Sequence, residues 1–201
     1  LGNNSATSVR VPTLVTGLTS GVTQVSNGYD HVCAIQSGAV KCWGYGFFGS
    51  LGNGGTSNAL TPVSVTGLSS GFTQIVSGSR YSCARNSNTT YCWGDNTEGA
   101  LGDGTTTQKN SPFSLTGNVS DLKYISASYG TTCGIKANGS LYCWGRNSSW
   151  QVGNDSSTNA NVSSPVQVTG MLAGIAVVDS STNHSCAIAD FGRLFCWGDN
   201  S

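Results

Sequence analysis

Apolar and polar residues alternate along this chain in short runs, and the same succession of runs returns four times. In Val63-Ser64-Val65-Thr66 the period is two, and a second apolar run follows at Phe72–Val76; the last unit has its counterpart at Ile175–Val178. Runs of this length, bounded by Gly, Pro, Ser and Thr, predict short β-strands. Two more strands are predicted on either side of a Gly-containing centre, as in the stretch from Cys33 to Cys42. Between Cys133 and Cys143 that centre is Asn138-Gly139, the strongest short hairpin signal.

The repeat is marked by a tripeptide. Cys-Trp-Gly occurs at Cys42-Trp43-Gly44, Cys92-Trp93-Gly94, Cys143-Trp144-Gly145 and Cys196-Trp197-Gly198, in steps of 50, 51 and 53 residues. All four prolines, Pro12, Pro62, Pro112 and Pro165, open the same short motif ending in Thr-Gly, and a Leu-Gly or Val-Gly pair follows each of the first three tripeptides. Four strands in a unit of about 50 residues describe a β-propeller blade. A kelch unit would carry a diglycine each time, whereas Gly54-Gly55 occurs once, and the shorter WD40 blade ends in Trp-Asp. The expected fold is all-β, a propeller-like array of four blades, with units at roughly 1–50, 51–100, 101–151 and 152–201. The chain opens on Leu1-Gly2 and stops at Asp199-Asn200-Ser201, two halves of one motif. A window from a longer repeating chain is therefore expected; a ring closed by its own first strand is the alternative.

Each tripeptide cysteine has a partner nine or ten residues earlier, giving the pairs Cys33 and Cys42, Cys83 and Cys92, Cys133 and Cys143, and Cys186 and Cys196. Opposite positions of an antiparallel hairpin lie within disulfide reach, so four staples are expected, with the oxidising compartment that they require. Free core thiols and a metal site are the alternatives. A structural zinc site usually wants Cys-x-x-Cys spacing, which is absent, and the only histidines are His31 and His184. Trp43, Trp93, Trp144 and Trp197 recur with the cysteines, and packing between neighbouring blades accounts for them.

Composition narrows the function. Charged residues make up 9% of the chain, nine basic against nine acidic, so no basic footprint for nucleic acid or anionic membrane is present. No apolar stretch is long enough to span a bilayer as a helix.

The whole unit resembles the RCC1 repeat. Proline, Val-Thr-Gly-Leu, an apolar strand, Gly-x-x-His-x-Cys-Ala, a hairpin, Cys-Trp-Gly, a polar turn and Leu-Gly-x-Gly follow in order; His31 and His184 carry the histidine, and Tyr81 and Thr131 replace it. The resemblance implies a propeller that acts by binding proteins, and the paired cysteines are similar to those of secreted, bacterial-type members. From it follow a non-catalytic extracellular interaction or structural module, such as a segment of a surface fibre whose copies stack, and alternatively a secreted inhibitor of the β-lactamase-blocking type. An exchange factor for a small GTPase fits the disulfides and the neutral charge less well.

Candidate sites are those that break the repeat. Tyr45, Phe47, Phe48 and Trp150 stand in turns where the other units are polar, which shared architecture does not explain: they are either private packing of their own turns or an interaction surface for a protein partner or further copies of the chain, and they are the interaction candidates. Sequons occur at Asn3, Asn88, Asn118, Asn138, Asn147, Asn154, Asn161 and Asn183; Asn138 and Asn147 are expected in exposed turns and are the preferred glycan sites. Gly67-Leu68-Ser69-Ser70-Gly71 mimics a hydrolase elbow, but a β segment follows where a helix is needed, and the first unit repeats the stretch with Thr19. His184, Ser185 and Asp179 form a triad only by nearness in sequence. No catalytic residue, metal or cofactor is expected.

Overall fold

The computed structural model describes residues 1–201. Its strands form four antiparallel sheets. The first sheet contains β1 (Val22–Asn27), β2 (His31–Gln36), β3 (Ala39–Gly44) and β4 (Ala59–Ser64), in that order. The second runs β5 (Gln74–Ser77), β6 (Tyr81–Arg85), β7 (Thr90–Gly94) and β8 (Lys109–Ser114). The third runs β9 (Leu122–Ala127), β10 (Thr131–Lys136), β11 (Leu141–Gly145) and β12 (Val162–Gln167). The fourth has three strands, β13 (Ile175–Ser180), β14 (His184–Ala189) and β15 (Arg193–Gly198).

The sheets are out of phase with the sequence units. The proline-bearing strands β4, β8 and β12 pair with the hairpin before them, so each closes the sheet of the preceding unit instead of opening its own. Proline explains their place: without an N–H it cannot serve a ladder on both sides, and all three are edge strands. On β3 and β4 the register shifts between Cys42 and Gly44, and on β11 and β12 between Cys143 and Gly145. The first proline segment, around Pro12, belongs to no strand.

Within each hairpin the cysteines meet in register, Cys33 against Cys42, Cys133 against Cys143 and Cys186 against Cys196. All four disulfides are formed, each with a Cα–Cα distance of 4.1 Å, and no cysteine is free.

The chain divides into two compact units. The first comprises Leu1–Ser87, Tyr91–Asp95 and Gln108–Phe113. Here β5 lies against β1 and β2, and Ile75, Phe72 and Trp93 pack on Ile35, Val40 and the Cys33–Cys42 disulfide. Two polar contacts hold this seam: the backbone N–H groups of Ile75 and Ser77 donate to Gln24 Oε1 and Ser26 Oγ, both at 2.8 Å.

The second unit comprises Asn88–Thr90, Asn96–Thr107 and Ser114–Ser201. Its β13 lies against β9 and β10, and Ile175 and Val178 pack on Ile135, Leu141 and the Cys133–Cys143 disulfide. The polar contacts recur with other side chains. Ser180 N–H donates to Ser126 Oγ at 3.2 Å, and its hydroxyl to Cys133 Sγ at 3.3 Å.

Candidate interaction surface

The tripeptide is structural. Its tryptophans are buried at positions 43, 93 and 144 and half-buried at 197. Trp93 Nε1 donates to the Ser50 carbonyl at 2.9 Å, Trp144 Nε1 to that of Ala100 and Trp197 Nε1 to that of Gln151, both at 2.8 Å. Each acceptor directly precedes a Leu-Gly or Val-Gly pair, so the pair positions the carbonyl that the indole needs. Trp43 Nε1 is buried without an acceptor. The tripeptide glycine turns the chain away from the hairpin: Gly44 has φ +106°, and a β-carbon there would stand 2.6 Å from the Asp30 carbonyl.

The repeat histidines diverge. His31 is buried, its Nε2 lies 2.8 Å from Ser82 Oγ, and burial lowers its pKa from the ordinary 6.5 to about 4. His184 is exposed. It neighbours Ser185 on β14, where successive side chains take opposite faces, and the buried Ser185 hydroxyl donates to the Gln151 carbonyl at 3.0 Å. The two do not form a nucleophile and base. Ser69 sits in an exposed turn followed by β5, without the helix an elbow requires.

The aromatic residues that break the repeat fall at two places. In the first unit Tyr45 and Phe47 stack with centroids 6.2 Å apart, and Phe47 meets Phe48 edge-on at 5.0 Å. The Arg80 guanidinium lies 4.4 Å above the Phe48 ring. Tyr45 and Phe47 are exposed and Phe48 is half-buried beneath the arginine, so the turn presents aromatic faces anchored by a cation–π contact. Trp150 lies in the second unit, exposed on a groove of about 370 Å³ that Asn154, Thr169 and Trp197 also line. Its backbone has φ +58°, and it occupies the repeat position that Gly49 and Gly99 hold at φ +70° and +78°. Alignment of the turns carries this signal: a bulky residue replaces the glycine that a left-handed conformation favours.

Three successive stretches, residues 37–85, 87–135 and 138–188, match the model of the Regulator of chromosome condensation (RCC1) repeat. The chain belongs to the RCC1 repeat family. Among solved structures, yeast RCC1 (Prp20) bound to Kap60 is 24% identical with a TM-score of 0.75, over 94% of this chain and 45% of that one. Human WBSCR16 is 19% identical with a TM-score of 0.78, over 88% and 47%. The ectodomain of the Physcomitrella patens receptor kinase CR4 is 22% identical with a TM-score of 0.59, over 95% and 45%. This RCC1 chain thus spans about half the length of the relatives it matches, and its four sheets are blades of the propeller type.

The sequons of the RCC1 chain separate by burial. Asn88, Asn118, Asn138 and Asn161 are exposed, whereas Asn3, Asn154 and Asn183 are half-buried. Asn147 contradicts its expected exposure, because its side chain points into the turn and is fully buried. There Asn147 Oδ1 accepts the Val152 N–H at 3.1 Å, as Asn96 Oδ1 accepts that of Leu101 at 2.9 Å. An asparagine two residues after the tripeptide glycine is an internal brace of the blade and offers no amide for a glycan. Asn138 is exposed at its hairpin tip, and its Oδ1 accepts the Ser140 N–H at 3.1 Å.

Proposed function

We propose that this RCC1 chain is a non-catalytic extracellular interaction module that engages a protein partner through the turn carrying Tyr45, Phe47 and Phe48. The observation that supports the reading is the exposure of stacked aromatic rings at one turn, where the second and third units place Asp95-Asn96-Thr97-Glu98 and Arg146-Asn147-Ser148-Ser149. Shared architecture cannot account for rings present in a single copy, and aromatic side chains with an arginine are the composition of interface centres. Four disulfides suit an oxidising compartment, and yeast Prp20p and the CR4 ectodomain are similar chains studied with protein partners or as ectodomains.

One double variant, compared with the unaltered chain, tests the reading. Labelled chain is incubated with intact cells and culture medium of the source organism, alongside Tyr45→Ser/Phe47→Ser. At least a tenfold loss of bound protein with an unchanged melting temperature supports it; equal binding by both overturns it. An inhibitor of a secreted enzyme would contact its target through a turn face of the same kind, and the bound protein then identifies itself as that enzyme.

A further inference from the structure

We infer that Arg80 reads an acidic side chain of the partner: the protein segment that docks on the aromatic turn offers an Asp or Glu carboxylate beside an apolar side chain. The inference rests on the reading of that turn as the contact face and names the chemistry it takes.

The second unit shows how this fold treats an arginine stacked on an aromatic ring. The Arg146 guanidinium lies 5.0 Å from the centre of the Tyr129 ring. Its Nε donates to Ser148 Oγ at 2.9 Å and lies 3.7 Å from Glu98 Oε1. Glu98 comes from the turn after β7, and its carboxylate lies over Gly130, where a β-carbon would overlap it. The stacked cation is met by a carboxylate and a hydroxyl of the unit itself, which suits a guanidinium whose N–H groups point outward in the plane of the fork.

In the first unit the same places are filled differently. Phe48 stands four residues after its tripeptide glycine, where Glu98 stands in the next turn. Arg80 stands three residues before Cys83, where Gly130 stands before Cys133. A ring has replaced the carboxylate, and a guanidinium has replaced the glycine beneath it. Arg80 stacks at 4.4 Å on Phe48, and that ring is the only partner of its side chain. Stacking uses the face of the guanidinium and leaves its in-plane N–H donors open. Arg80 is exposed in the loop between β5 and β6, in the second of the four sheets, with a sheet before it and others after it in the chain.

An arginine held flat beside exposed rings is a fork set for a planar carboxylate, which it grips with two parallel bonds. Phe47, exposed next to Phe48, gives the apolar surface on which a neighbouring side chain of the partner rests. The charges around the loop select a single negative charge. Asp95 N–H donates to the Arg80 carbonyl at 3.0 Å, and Tyr29 N–H to that of Ser79 at 2.9 Å, so Asp95 and Asp30 flank the loop. Arg80 is its one cation, and a doubly charged phosphate would meet two carboxylates with a single guanidinium to hold it.

A random linear peptide library displayed on phage is selected on the immobilised chain, and the enriched peptides are synthesised with their Asp or Glu and, separately, with the corresponding amide. Enriched peptides are expected to carry an acidic residue next to an aromatic or aliphatic one, to bind at least about tenfold more tightly than their amide forms, and to lose that preference on Arg80→Gln. The comparison of acid with amide needs no altered protein, and the melting temperature checks that Arg80→Gln is folded. Peptides that Tyr45→Ser/Phe47→Ser releases but that bind equally as acid and amide overturn the carboxylate and leave the aromatic turn as the contact face. An acid preference that Arg80→Gln keeps puts the carboxylate elsewhere and also overturns the inference. Peptides held as tightly by Tyr45→Ser/Phe47→Ser as by the unaltered chain overturn the turn itself. A library that enriches nothing overturns the inference, and binding to cells then decides the turn by itself.

Discussion

The indole of Trp93 lies so close to Gly52 that a β-carbon on residue 52 would stand 2.7 Å from Nε1 and 2.8 Å from Cδ1. The same closeness joins Trp43 with Gly2, Trp144 with Gly102 and Trp197 with Gly153. The glycine also has positive φ, +63° at Gly52, so both space and backbone demand it. Tryptophan and glycine, distant in sequence, form one joint in every blade.

Gly52→Ala is expected to destabilise the fold by about 2–4 kcal/mol, through overlap with a buried ring and a strained φ. Gly55→Ala, whose β-carbon meets nothing nearer than 3.7 Å, is expected to change stability by less than about 0.5 kcal/mol. Urea unfolding of the two variants compares them directly, and equal midpoints would show that the joint is loose.

His31 gives the fold a dependence on acidity. Its folded pKa, about 4, lies below the ordinary 6.5, so between these values the unfolded chain binds a proton that the folded chain refuses. Stability from this residue is fully present above pH 6.5 and is lost as pH falls toward 4, by on the order of 3 kcal/mol in all. The urea midpoint of the wild type should drop more between pH 7 and pH 4.5 than that of His31→Asn. Parallel drops would assign the acid sensitivity elsewhere.

Trp150→Gly restores the residue type that the other turns use at positive φ, and is expected to stabilise the second unit by about 1 kcal/mol. Thermal unfolding measures it. A loss of stability would show that the exposed indole contributes packing that outweighs its backbone strain.

Asn154→Asp should also stabilise. In the second blade Asn96 Nδ2 donates to Asp103 Oδ1 at 3.0 Å, while the counterparts Asn147 Nδ2 and Asn154 Oδ1 are buried without partners. A carboxylate at 154 supplies an acceptor in either orientation, worth about 1 kcal/mol by urea unfolding. No gain, or a loss, would mean that the two side chains are satisfied by other groups in solution.

The strands, the cysteine register and the family were legible because each rests on local pattern: period-two alternation, Asn138-Gly139 at a hairpin tip, and scarce residues returning at fixed steps. The partner of the proline strand was not legible. Whether Pro62 pairs backward to β3 or forward to β5 depends on contacts that no run of residues encodes. The inward turn of Asn147 was hidden by its surroundings, since Asn among serines reads as solvent-facing. Its recurrence at Asn96, five residues before an apolar residue whose N–H it holds, was the signal of a brace. Trp150 was singled out as a break in the pattern, but only the equivalence with Gly49 and Gly99 shows that it also strains the backbone.

Protein purified from its native source is expected to gain the mass of about eight hydrogens on reduction, one for each cysteine. Any glycan should map to exposed Asn88, Asn118, Asn138 or Asn161 and none to Asn147. Free thiols in the native protein would contradict an extracellular module.

The central claim, that the aromatic turn is the contact face, is tested most directly by photo-crosslinking with a benzophenone side chain placed at Phe47 and, separately, at exposed Thr97 in the polar turn of the next unit. On intact cells of the source organism, position 47 is expected to give one discrete protein adduct that Tyr45→Ser weakens, and position 97 none. No adduct at 47, or the same adducts from both positions, would contradict the account.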